Sequence, residues 1–138
     1  MRREDWPERL TEVIERYRHA PFAWGRVDCV TFAADVVFAV TGIDRFAGRR
    51  GVYSDQASAE LLIGPGGLEA AFRAELGDPI AVARAGRADL LLISIPLGPE
   101  RALTDVAAVC LGTDVAFTGT HGLLFRPRRD CRIAWRIG

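Results

Sequence analysis

The stretch from Cys29 to Thr41 constrains this chain most. Only Thr31 and Asp35 interrupt an apolar run that carries Ala33, Val36, Val37, Phe38, Ala39 and Val40. A helix that is apolar on nearly every side must be buried on most of them, so this one is expected at the centre of the fold. Gly42 is placed to end it. Upstream, Phe22-Ala-Trp-Gly-Arg-Val-Asp-Cys29 supplies a Gly-containing turn and an Asp-Cys pair, setting Cys29 in the first helical turn. Unpaired backbone N–H groups and the positive end of the helix dipole favour a thiolate there, which makes Cys29 a candidate nucleophile.

The flanking segments supply the rest of a single domain over residues 1–138. Trp6, Leu10, Val13, Ile14 and Tyr17 recur at helical spacing between Asp5 and His19, with Pro7 in the first turn and Pro21 closing the element. Residues 43–54 read as a loop with two glycines and three arginines. Ser54 or Asp55 caps a short helix through about Ile63, which Gly64-Pro-Gly-Gly67 breaks; a further helix runs from Leu68 to Leu76. After Pro79 the period changes. Ala88–Ile95 reads as a strand ended by Pro96 and the Gly98-Pro99 turn, followed by strands at Thr104–Leu111, Val115–Thr118, Leu123–Arg126 and Ile133–Ile137. Helices first and a strand meander afterwards predict an α+β fold, with the helices packed on an antiparallel sheet.

Composition excludes several classes. A formal net charge of zero gives no basic field for nucleic acid or a membrane surface. All 18 basic residues counted as Lys or Arg are arginine. Arginines near 45–50 and 126–132 suit carboxylate pairing, although such runs are more often solvated loops. Three cysteines, Cys29, Cys110 and Cys131, do not suggest a disulfide framework, and the last two lie in β-like apolar runs that suit small buried residues. The first residues lack the apolar segment of a signal peptide, and no run is long enough to span a membrane. The expectation is cytoplasmic synthesis of a chain without membrane or nucleic-acid partners. No metal-ligand cluster or nucleotide fingerprint is present, so no cofactor is expected.

The Trp24-Gly25 turn, Asp28-Cys29 at the start of a buried helix, and Gly86-Arg-Ala-Asp-Leu-Leu-Leu-Ile93 opening the sheet resemble the NlpC-type cell-wall cysteine peptidases, which have a papain-like fold. The likeness runs in order over most of residues 17–118. It implies a peptidase or amidase acting on peptidoglycan stem peptides, with Cys29 as nucleophile and Trp24 and Asp28 beside the substrate. It also implies a phage-tail or prophage setting, with tail proteins as partners and the virion tail as a destination.

The chain departs from that pattern on the second strand. The family opens this strand with a histidine base, whereas here Asp105-Val-Ala-Ala-Val-Cys-Leu-Gly112 puts Val106 at the place. Of the two histidines, His19 ends the first helix. His121, between Gly119 and Gly122, reads as a solvated turn residue or as a substitute base reaching Cys29. Asp105 is a poor base for a thiol unless its pKa is raised. Two functions follow: a cysteine peptidase using Cys29 and His121, or the same fold without catalysis as a structural or assembly component of a tail. The sequence leaves the oligomeric state open.

Overall fold

The computed structural model describes all 138 residues, as four α-helices followed by a five-stranded antiparallel sheet. The helices are α1 (Trp6–Tyr17), α2 (Cys29–Thr41), α3 (Gln56–Ile63) and α4 (Gly67–Leu76). The strands are β1 (Leu90–Leu97), β2 (Ala102–Cys110), β3 (Asp114–Gly119), β4 (Gly122–Pro127) and β5 (Ile133–Trp135), in the spatial order β4-β3-β2-β1-β5. The first four strands form the expected meander. The last crosses back to pair with β1 instead of extending the β4 edge. No helix is long and apolar enough to cross a membrane.

Helix α2 fills the middle, as its composition requires. Seven of its thirteen residues are buried, among them Phe32, Val36, Val37 and Val40. Its end is built as expected, with Gly42 at φ +79° donating its N–H to the Phe38 carbonyl. The sheet separates two apolar clusters through the strand alternation. On one face Leu90, Leu92, Ala107, Val109 and Ala116 pack with α1, α2 and Trp135. On the other, Leu91, Ile93, Val106, Ala108, Val115 and Phe117 pack with Cys110, Cys131 and Ala134. Both of these cysteines are buried and unpaired, consistent with the role of small apolar residues.

The C-terminal ends of β1 and β5 depart from the expected bounds for identifiable reasons. Strand β1 does not stop at Pro96 but continues to Leu97, with Pro96 opposite Leu103. The three-residue β5 covers only Leu90 to Leu92, so Pro96 lies on an open edge where a missing N–H costs no ladder bond. The last strand ends at Trp135, two residues early. The Ile137 N–H is taken instead by the Asp89 carboxylate at 2.9 Å.

Asp89, only 1% exposed, is a buried clamp between the chain termini. One oxygen also accepts from the Arg2 guanidinium at 2.9 Å, and the other from the Gly86 N–H at 2.9 Å. The Gly-x-x-Asp-Leu segment is therefore a turn closed by its own carboxylate, which starts β1 and anchors both ends of the chain beside it.

Candidate functional site around Cys29

Asp28 is the N-cap of α2, with extended backbone and a side chain only 2% exposed. Its Oδ1 accepts the Thr31 N–H at 2.8 Å, satisfying one of the orphan donors of the first turn. Oδ2 accepts the Gly25 N–H at 2.7 Å and the Tyr53 hydroxyl at 2.7 Å. One carboxylate thus fixes the Trp24-Gly25 turn, the start of α2 and the loop before α3. Gly25 stands at φ +80°, and a Cβ there would lie 2.3 Å from the Tyr53 carbonyl oxygen, so glycine is required. Asp28 is wholly engaged in this scaffold. Sequence reasoning missed Tyr53, an isolated phenol in a polar loop with no periodicity to mark its partner.

Cys29 follows at the first helical position, where a seam opens in the sheet. Strands β2 and β3 pair only at Val109↔Ala116 and Cys110↔Val115, so the earlier residues of β2 have no β3 neighbour. Cys29 packs against both apolar clusters, including the one that contains Val106. The residue keeps a little exposed surface, but protein crowds its thiol. Burial pushes the thiol pKa up to about 11. The Ala107 backbone pulls the other way without overcoming it, and the negative charge of Asp28 adds to the rise. Here desolvation outweighs the helix terminus.

The candidate bases lie elsewhere or are already committed. Val106 belongs to the cluster against which Cys29 packs, and a valine side chain cannot take a proton. Asp105 accepts from Arg132 at 2.6 Å and from the Ser94 hydroxyl at 2.6 Å. The Arg132 hydrogen bonds hold its carboxyl below the usual range, the opposite of what a base for a thiol needs. His121 is exposed in the two-residue turn between β3 and β4, and it lines a concavity of about 390 Å³ together with Arg18 and His19. Neither this concavity nor one of about 330 Å³ beside Met1, Val37 and Arg136 is lined by Cys29 or Asp28.

A family model described as a domain of unknown function, DUF6950, matches residues 1–137. The chain belongs to this family. Neither a curated protein nor a solved structure matches it.

Trp24 and Trp135 have separate roles. Trp135 is fully buried and donates its indole N–H to the Gly77 carbonyl at 3.0 Å. Trp24 is 38% exposed and meets Phe22 edge-on, with ring centroids 4.9 Å apart. These two rings form an aromatic surface on the turn that leads into Cys29. The arginines of the loops are largely used internally: Arg49 pairs with Glu75, Arg50 with Asp35 and Asp44, and Arg132 with Glu69 and Asp105.

The raised Cys29 pKa has a consequence for stability. An unfolded cysteine loses its proton near pH 8.5, whereas the folded one holds it to about 11. Within that interval the folded state carries the extra proton, so stability falls as pH rises through it and is fully present below it. Tyr53 is also raised, by burial first and then by its bond to Asp28, which adds a loss of the same sign at higher pH. Urea midpoints are expected to be level near pH 7 and to drop between about pH 9 and 11. The drop should be shallower in Cys29→Ala.

Proposed function

We propose that this chain is a papain-like, NlpC-type domain that does not hydrolyse peptides and serves as a structural or assembly component of a phage tail. The order of elements supports the first part: an Asp-Cys turn opens a buried central helix, and a Gly-x-x-Asp-Leu strand then opens an antiparallel sheet. The observation that carries the reading is Val106, which takes the expected base position and belongs to the apolar cluster that Cys29 packs against. A thiol at about 11 with no histidine bonded to it is a packed side chain and not a prepared nucleophile. The tail setting and its partner proteins come from the resemblance.

A second reading keeps the peptidase. It is favoured by the place of Cys29 at a helix N-terminus, reached through a turn that exposes Phe22 and Trp24. Incubation with purified muropeptides, read by mass spectrometry, separates the two. No cleavage is expected, with wild type and Cys29→Ala indistinguishable; cleavage that disappears in Cys29→Ala would establish the second reading. Mass spectrometry of purified particles tests the tail assignment, which fails if the chain is absent from them.

A further inference from the structure

The chain has two histidines, 102 positions apart, and the fold brings both to the rim of one concavity. His19 follows α1, and His121 sits in the turn between β3 and β4. The backbones that carry them are fastened together. The Leu123 N–H donates to the Arg18 carbonyl at 3.1 Å, and the Phe22 N–H donates to the Thr120 carbonyl at 3.0 Å. Gly122, at φ +135°, allows this approach: a Cβ there would lie 2.3 Å from the Arg18 carbonyl oxygen and 3.1 Å from the His19 Cα. His121 is the next residue, so the two imidazoles start from neighbouring points on a braced backbone.

Both side chains stand exposed at the rim of this concavity. The only charged side chain lining the concavity is Arg18, which is bonded to Glu15 at 2.9 Å. Neutral imidazole is a good ligand for zinc, nickel and copper ions, and the nearness of the two backbone segments reduces the ordering needed to bring both rings onto one ion.

We propose that His19 and His121 form a two-histidine site for a divalent transition metal, with water or a partner's carboxylate completing the coordination. Binding clips the β3–β4 hairpin to the end of α1 and stabilises the fold by mass action. The site is independent of Cys29 and gives His121 a role other than catalytic base.

The test is titration of the full chain with Zn²⁺ at pH 7.5, followed by calorimetry and by proton NMR of the two imidazoles. One saturable ion per chain is expected, with both sets of ring signals moving along the same binding curve. Binding should disappear in His19→Ala and in His121→Ala. Both residues are exposed, so these variants should keep the wild-type circular dichroism. The proposal is overturned if no saturable binding occurs, if only one ring responds, or if binding survives either replacement.

Discussion

Replacing Asp28 with alanine is expected to destabilise the domain by about 3–5 kcal/mol, because three donors lose the carboxylate they share at once. Loss of the N-cap bond to Thr31 alone costs about 1 kcal/mol. The Gly25 N–H and the Tyr53 hydroxyl, bonded at 2.7 Å each, then face a cavity without their acceptor. The melting temperature should fall by about 10 °C or more. Tyr53→Phe removes one of the three donors and leaves the carboxylate otherwise bonded, so about 1–2 kcal/mol is expected. Asp28→Asn keeps one acceptor oxygen and should lie between them. Urea unfolding of the three variants checks the ranking. An Asp28→Ala variant as stable as wild type would show that the carboxylate is not the organiser of the turn.

The contrast between Asp28 and Cys29 shows what was legible in the sequence and what was not. The central helix could be read to the residue, because an apolar run with an Asp cap and a Gly stop carries all its information locally. The α+β class followed from the change of period after Pro79. The placement of β5 did not, since the choice between the β1 and β4 edges depends on contacts that only the assembled sheet provides. Pro96 misled for the same reason: its tolerance depends on whether a neighbouring strand reaches it. At the site, the proximity of Cys29 to a helix terminus suggested a lowered pKa. The opposite shift arises from long-range packing against both faces of a splayed sheet. The partner of Tyr53 and the placing of His19 and His121 on one concavity are likewise products of the fold, invisible to spacing.

The chemistry of Cys29 follows from magnitudes. With a pKa of about 11, roughly 1 thiol in 10,000 is ionised at pH 7, against about 3% for a free cysteine near 8.5. That is about 300-fold less thiolate. A more basic thiolate is intrinsically more nucleophilic, by about tenfold over this interval. The net expectation is alkylation about 20–30-fold slower than free cysteine before any steric shielding. No single substitution at Asp28 reverses this, because burial is the larger cause of the shift.

The central claim is therefore tested most directly by the rate of Cys29 carboxamidomethylation by iodoacetamide from pH 6 to 10, read peptide by peptide. The account predicts a slow rate that climbs about tenfold per pH unit across the range, with no preference for Cys29 over free cysteine at any point. A rate at pH 6 far above those of Cys110 and Cys131, with a plateau already reached near neutrality, would contradict it and make Cys29 a working nucleophile.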